Sequence, residues 1–175
     1  MDVEKSFTAA YEEYADSLFR HCYFRLSNRE RAAELTQDAF MKTWDAIGKG
    51  QEIDNYRAFL FRVLNNLIID EYRKKKSSSL DALLEKDGVT EGSFSELQTG
   101  GLEEELKKIE IQFQSKELEQ ALIQLPEAYR SVIVMRFINE LKPSEIADIL
   151  NESENAISVR INRGVKKLQA CMATT

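Results

Sequence analysis

The chain has 175 residues, enough for one domain or two small ones, and its 43% hydrophobic content can form a core. Only two prolines and seven glycines interrupt a sequence rich in helix-forming residues, so we expect an all-α fold. A formal net charge of −6 argues against a protein that coats nucleic acid indiscriminately. The apolar runs are too short for membrane insertion.

The ends and the rare residues of the chain favour a cytoplasmic protein. The N-terminal residues MDVEKSF carry acids ahead of any apolar stretch and do not resemble a signal peptide. Cys22 and Cys171 follow no metal-ligand spacing, so we interpret them as unreactive thiols in a reducing compartment. His21 is the single histidine, and no phosphate-binding glycine loop or HExxH motif occurs. We therefore expect no cofactor, no metal and no enzymatic activity.

Two amphipathic helices are predicted first. Apolar residues recur at helical spacing over residues 7–26, and Ser27-Asn28 can end that helix and begin the next. The expected apolar face of the first helix contains Phe7, Tyr11, Tyr14, Leu18, Cys22 and Leu26. That of the second contains Ala32, Leu35, Ala39, Phe40, Thr43 and Trp44. Residues 48–56 lack a helical period and are predicted to form an exposed loop.

A third helix, from Arg57 to about Lys75, combines a core face with a basic face. We expect its inward residues to be Leu60, Val63, Leu64, Leu67, Ile68 and Tyr72. The more exposed residues are Arg62, Asn65, Asn66, Ile69 and Arg73, near the aromatic residues Tyr56, Phe59 and Phe61. Arginines, amides and rings together suit single-stranded or opened DNA, because bases stack on rings while arginines follow the phosphates. The alternative is that the rings belong to the core and the basic end is merely solvated.

Residues 77–110 form a predicted flexible, acidic linker between two small helical modules, residues 1–76 and 111–175. The linker contains SSS, DGVTEG and TGG, and its acids outnumber its bases. Basic segments lie on either side of this acidic one. The pattern favours two modules that contact DNA, joined by a linker that the negative charge of DNA repels.

The C-terminal module has the layout of a helix-turn-helix. Pro143 suits the first position of a short helix that ends before Asn151, and Ser153 can cap a second helix. The predicted buried positions are Ile146, Ala147 and Leu150, then Ile157, Ile161, Gly164 or Val165, and Leu168. The opposite face of the second helix offers Ser158, Val159, Arg160, Asn162, Arg163, Lys166 and Lys167 for base and phosphate contacts. An ordinary helical hairpin with a solvated charged face is the alternative.

These segments resemble bacterial RNA polymerase sigma factors. NYRAFLFRVLNNLIIDEYRKKK, residues 55–76, and ELTQDAFMKTWDAI, residues 34–47, are similar to region 2 of that family. LPEAYRSVIVMRF, followed by SEIADIL and the second helix, is similar to region 4. With only these two regions, the chain resembles the extracytoplasmic-function (ECF) group.

The resemblance implies that the chain binds core RNA polymerase, recognises the −35 and −10 promoter elements and helps to melt DNA. Region 2 would bind the β′ clamp helices through a helix that includes Leu35, Gln37, Asp38, Phe40 and Trp44. Its next helix would meet the −10 strand through Tyr56, Arg62, Asn65, Asn66, Ile69 and Arg73, and residues 48–56 would form a pocket for a flipped-out base. Region 4 would read the −35 duplex and dock on the β flap. The resemblance further implies an anti-sigma factor as a partner, and a monomer when free.

Two other functions remain open on sequence grounds. A conventional helix-turn-helix regulator would bind duplex DNA strongly without polymerase. A helical adaptor that binds only proteins would be indifferent to the loss of Arg163 or Asn66.

Overall fold

The computed structural model of the protein describes residues 3–78 and 116–173. In the N-terminal module, α1 spans Val3–Leu26, α2 spans Arg29–Gly48 and α3 spans Tyr56–Ser78. In the C-terminal module, α4 spans Lys116–Gln124 and α5 spans Glu127–Ile133, which continues as a π-helix over Val134–Ile138. The helices α6, Pro143–Leu150, and α7, Glu154–Ala173, follow. The described residues are helical and contain no strand, so the all-α prediction is confirmed.

The helix ends lie where the short polar residues predicted them. Asn28 caps α2, because its side-chain oxygen accepts a 2.9 Å hydrogen bond from the backbone N–H of Arg31. Ser153 caps α7 in the same way, through a 3.2 Å bond from the N–H of Ala156. Asn151 adopts the left-handed conformation between α6 and α7, with φ of 55°. This turn forms the break in the predicted helix-turn-helix.

The N-terminal module encloses its core between three helices, with Leu18, Leu60, Leu64 and Ile68 fully buried. Two expectations about its aromatic residues are wrong. Tyr11 is 53% exposed rather than part of the buried face of α1. Phe61, expected beside the DNA-facing surface, is fully buried, since α1 lies against that side of α3.

The C-terminal module buries the predicted stripe of α7, and Gly164 allows a close approach between α7 and α5. A Cβ atom at Gly164 would lie 3.1 Å from Cγ1 of Ile133. In α6, Ile149 is buried and Leu150 only half-buried, whereas the sequence predicted Leu150 alone at this end. The difference arises because α6 packs against α3 as well as against its own module.

The two modules lie against one another. Helix α1 contacts α4, α5 and the π-helix, while α3 contacts α6. The predicted linker, residues 77–110, lies outside the described residues except for the last residues of α3, as do the expected positions 111–115 of the C-terminal module.

Candidate nucleic-acid interface

The second helix of the helix-turn-helix, α7, carries a basic surface opposite its buried stripe. Arg163, Lys166 and Lys167 are exposed, and Ser158 and Val159 are half-buried at the N-terminal half of the helix. The ammonium of Lys167 lies 5.2 Å from the centroid of the Tyr129 ring, which limits the positions that it samples. A helix that exposes basic side chains along one face can lie in a DNA major groove, which is about 12 Å wide.

Two predicted reading residues of α7 are engaged within the protein. Both terminal nitrogens of Arg160 donate to the Glu152 carboxylate in the preceding turn, so its guanidinium holds that turn rather than projecting freely. Asn162 is half-buried, and its Oδ1 has no hydrogen-bond partner among the described residues. The Oδ1 atom of Asn162 is buried. A bidentate contact with adenine needs both the oxygen and the nitrogen of the amide, so the side chain must rotate before it can make one.

The basic face of α3 is narrower than the sequence predicted. Arg62, Asn66 and Arg73 are exposed, and Tyr56 and Ile69 are half-buried. The expectation that Asn65 shares this exposed face is wrong. Asn65 is only 3% exposed, because its Oδ1 turns inward and accepts a 2.7 Å hydrogen bond from Nη1 of Arg25.

An open groove lies between the C-terminal half of α2, the loop that follows it and the middle of α3. Its apolar surface comes from Val63 and Leu67, with the amides of Gln51 and Asn66 beside them. The remaining lining residues are Lys42, Asp45, Ala46, Lys49, Gly50 and Asp70. Gly50 has φ of 87°, a backbone conformation that glycine adopts readily, so it lets the loop turn at the edge of the groove. The apolar side chains and amides are suited to an unpaired base, while Asp45 and Asp70 offset the charge of the two lysines.

The exposed side of α2 presents large apolar side chains to solvent. Trp44 is 42% exposed and Met41 is 55% exposed. The Trp44 ring lies 4.8 Å from the ring of Phe7 in α1, and this contact fixes its orientation. Gln37 and Asp38 are exposed on the same helix. Leu35 and Phe40, predicted to bind polymerase, are 2% and 5% exposed, so they can only support this surface from inside.

A network of polar side chains joins the two modules, and sequence reasoning missed it. It comprises His21 and Arg25 of α1, Asn65 of α3, Glu127 of α5, and Asn139 after the π-helix; we call it the interface network. Each of these side chains except that of Glu127 is at most 3% exposed. Burial, with a smaller contribution from the Arg25 guanidinium, lowers the pKa of His21 to about 3, so its ring is neutral.

The first helix of the helix-turn-helix lies beside α3. Arg57 donates a 2.7 Å hydrogen bond to the backbone oxygen of Asn139 and lies 3.5 Å from the Glu145 carboxylate. Arg62 lies 3.4 Å from the backbone oxygen of Asp148 in α6. The basic residues at the start of α3 therefore contact the C-terminal module.

Family models match both modules. The model of sigma-70 region 2 matches residues 10–78, and that of sigma-70 region 4 matches residues 115–168. The ECF RNA polymerase sigma factor SigW of Bacillus subtilis is 31% identical over 168 residues, which cover 95% of this chain and 88% of that protein. The chain belongs to the ECF sigma-factor family. The resemblance on which the sequence prediction depended is confirmed.

Other relatives of this ECF sigma factor agree with that assignment. RNA polymerase sigma factor YlaC of B. subtilis is 24% identical, with 93% of this chain and 89% of that protein covered. Among solved structures, the sigma factor RpoE in complex with the anti-sigma factor NepR, from Bartonella quintana, has a TM-score of 0.71 at 21% identity. That match covers 97% of this chain and 98% of the other. CnrH in complex with the cytosolic domain of CnrY has a TM-score of 0.67 at 21% identity, covering 99% and 91%. These structures share the fold.

The described part of this ECF sigma factor contains neither a metal-binding cluster nor a membrane-spanning helix. Across residues 3–78 and 116–173, no cluster of three or more histidine, cysteine or acidic side chains is arranged to hold a metal ion. None of the helices within these ranges is both long enough and apolar enough to cross a membrane. Cys22 is buried, and burial raises the pKa of its thiol to about 12, as expected for an unreactive cysteine.

Proposed function

We propose that this ECF sigma factor uses α7 to read the −35 duplex, the α2–α3 groove to hold unpaired −10 bases, and the exposed side of α2 to bind core polymerase. The observation that carries this proposal is the separation of two different nucleic-acid surfaces onto two modules. A basic recognition helix suits duplex DNA, whereas an open groove with apolar and amide groups suits a base that has left its stack. A regulator that binds only duplex DNA has no use for the second surface.

The groove is suited to strand capture because its groups match the parts of a nucleotide. Val63 and Leu67 can contact the face of a base, and Gln51 and Asn66 can hydrogen-bond to its edge. Lys42 can neutralise a phosphate. Contacts that form only with an unpaired base lower the free energy of the melted state relative to the duplex, so binding and melting are coupled.

The polymerase surface is centred on Trp44. A large ring that is 42% exposed yet held by Phe7 is the kind of side chain that dominates protein interfaces. We assign the β′ clamp helices to this surface and the β flap to the C-terminal module, by analogy with the family. Gln37 and Asp38 form the polar margin of the α2 surface.

Further partners follow from the relatives. RpoE of Bartonella quintana was solved in complex with the anti-sigma factor NepR, and CnrH in complex with the cytosolic domain of CnrY. We infer that an anti-sigma factor holds this protein inactive in the cytoplasm, and that the free protein is monomeric. The chemical step of RNA synthesis belongs to the polymerase.

The test is in vitro transcription of a genomic DNA library by core polymerase, with and without this protein, followed by sequencing of RNA 5′ ends. We expect discrete new start sites that share two upstream elements. Binding to core polymerase without new starts would indicate a protein-binding adaptor instead. Specific footprints on duplex DNA in the absence of polymerase, without new starts in its presence, would indicate a conventional regulator.

A further inference from the structure

Asn139 of the C-terminal module forms side-chain hydrogen bonds with α1. Its Nδ2 donates a 3.0 Å hydrogen bond to the backbone oxygen of Ser17. Its Oδ1 therefore faces His21, whose Nδ1 lies 2.8 Å away. An amide oxygen is an acceptor, so His21 carries its proton on Nδ1 and keeps an unshared electron pair on Nε2. Nη1 of Arg25 lies 3.2 Å from that Nε2 and can donate to it.

Arg25 extends the same chain of bonds to both modules. Nη1 of Arg25 also donates to Asn65 within the N-terminal module, at 2.7 Å. Nε donates to the Glu127 carboxylate of α5 at 2.9 Å, and Nη2 contacts the same oxygen. The Tyr72 hydroxyl lies 3.0 Å from the other carboxylate oxygen. A guanidinium that is 2% exposed needs such partners, since burying an unpaired charge costs several kcal/mol.

The backbone of Arg25 is held from the C-terminal module as well. Nη1 of Arg130 donates a 3.0 Å hydrogen bond to the Arg25 carbonyl oxygen. At the edge of the interface, the Tyr23 hydroxyl donates a 2.5 Å bond to the Glu119 carboxylate in α4. The interface is therefore a set of directional bonds and not only an apolar contact.

With the two modules packed against one another, the protein cannot contact both promoter elements at the same time. The −35 and −10 elements lie about 25 base pairs apart, or about 85 Å at 3.4 Å per pair. A compact body of about 130 residues has a radius of gyration of about 14 Å, too small to span that distance. The chain between Ser78 and Lys116 is long enough to connect separated modules at up to about 3.4 Å per residue.

The closed arrangement affects the two surfaces unequally. Arg57 and Arg62, at the start of α3, contact backbone oxygens of the C-terminal module, so α6 lies over that end of the helix. The basic residues Arg163, Lys166 and Lys167 of α7 stay exposed. Closure therefore engages two basic side chains at the start of α3 while leaving the duplex-reading helix accessible.

We propose that the interface network holds this sigma factor in a closed, self-inhibited form that must open before the two modules can engage a promoter. No anti-sigma factor is needed for this inhibition, which distinguishes it from partner-mediated control. The inhibition of promoter binding rests on the proposed function, whereas the closed contact between the two modules does not.

The test compares wild type with Asn139→Ala, which removes the side-chain bonds to α1. The hydrogen bonds of the Asn139 side chain to His21 and Ser17 reach the other module, so the C-terminal module should keep its fold. Leaving buried partners unsatisfied should lower the closed-to-open ratio about tenfold to hundredfold. Small-angle X-ray scattering should then give a larger radius of gyration, and transcription at limiting sigma factor should rise severalfold.

Two further variants make the test decisive. Glu127→Gln retains the shape of the side chain but removes the charge paired with Arg25, and should open the protein in the same way. Gln120→Ala replaces an exposed amide on α4 and should leave scattering and transcription at wild-type values. Circular dichroism confirms that each variant is folded; should Asn139→Ala unfold, Glu127→Gln carries the test.

Each outcome decides the proposal. Unchanged scattering from the folded network variants would mean that the network does not hold the modules together, and would overturn the proposal. Open variants without increased transcription would overturn the inhibitory role. A wild type that starts no transcripts even at saturation would instead refute the proposed function and the inhibitory role with it, while scattering would still decide closure.

Discussion

Gly164 lies where α7 and α5 approach most closely, and replacing it with alanine tests the packing of the helix-turn-helix. Alanine is favoured over glycine in a helix by about 0.8–1.0 kcal/mol. The new Cβ atom, however, would lie 3.1 Å from Cγ1 and 3.2 Å from Cδ1 of Ile133. Favourable carbon–carbon separations are about 3.5–4.0 Å. Ile133 is fully buried and cannot move into solvent.

The net effect of Gly164→Ala is the difference between these contributions. Overpacking a core costs about 1–3 kcal/mol, so we expect the free energy of unfolding to fall by about 1 kcal/mol. Gly48→Ala is the matched control, since nothing lies within 4 Å of the added Cβ at the end of α2. There the helix preference acts alone and should stabilise the protein by up to about 0.5–1 kcal/mol.

Urea unfolding followed by circular dichroism measures both changes as shifts of the midpoint at constant slope. Combining Gly164→Ala with Ile133→Val removes the crowded Cδ1 atom, and should cost less than the sum of the two single changes. If Gly164→Ala stabilised the protein as much as Gly48→Ala, the close approach of α5 and α7 would be refuted.

Three further predictions concern DNA, polymerase and pH. Arg163→Ala should weaken −35 recognition by about 1–3 kcal/mol and relax base preference in a competition assay with variant −35 duplexes. Lys166→Ala should weaken binding to all of these duplexes equally. An unchanged base preference in Arg163→Ala would show that the reading face is misassigned. Trp44→Ala should weaken binding to core polymerase by about 2 kcal/mol or more in a titration, whereas an unaltered affinity would remove Trp44 from that surface. The pKa of His21 is about 3 in the folded protein, below its ordinary value of 6.5, because the ring is buried against Arg25. The unfolded chain thus binds a proton between these pH values that the folded chain does not, and the free energy of unfolding should fall by about 1.6 kcal/mol between pH 6.5 and pH 5. Urea unfolding of His21→Gln should lack this part of the pH dependence, and an identical slope in both proteins would contradict the buried neutral ring.

The sequence predicted the helices and their ends well because local chemistry determines them. Asn28 and Ser153 each accept a backbone hydrogen bond at a helix start, and the buried stripe of α7 recurs at the spacing of a helix turn. The order of the two modules was predicted from sequence motifs that resemble regions 2 and 4 of sigma factors. These features depend on residues close together in the chain, so no knowledge of the tertiary arrangement was needed.

The contact between modules was not predictable in the same way. Asn65 was predicted to be exposed and no role was predicted for Arg25, because polar side chains on amphipathic helices usually face water. They are buried since each finds a hydrogen-bond partner that belongs to another helix. One signal was available: Arg25 follows Leu18 and Cys22 at helical spacing, on a side of α1 that would otherwise be apolar.

The candidate site was predicted in part. The exposed residues Asn66 and Arg163 and the half-buried ring of Tyr56 lie on the helices that the motifs indicated. The sequence did not reveal that Lys42 and Gln51 line the same groove as Asn66, because they lie on different elements. Grooves are formed by the relative placement of helices, which periodicity alone does not determine.

The π-helix after α5 determines the direction in which the Asn139 side chain points. The backbone N–H of Asn139 bonds to the oxygen of Val134, five residues back, at 3.1 Å. This wider turn contains one residue more than an α-helical turn would, and each residue of an α-helix advances about 100° around the axis. An α-helical turn over the same residues would carry Asn139 about 100° further around the axis and turn its side chain away from His21. The contact between the two modules therefore depends on the backbone hydrogen-bond pattern of this one turn as well as on the side chains that meet there.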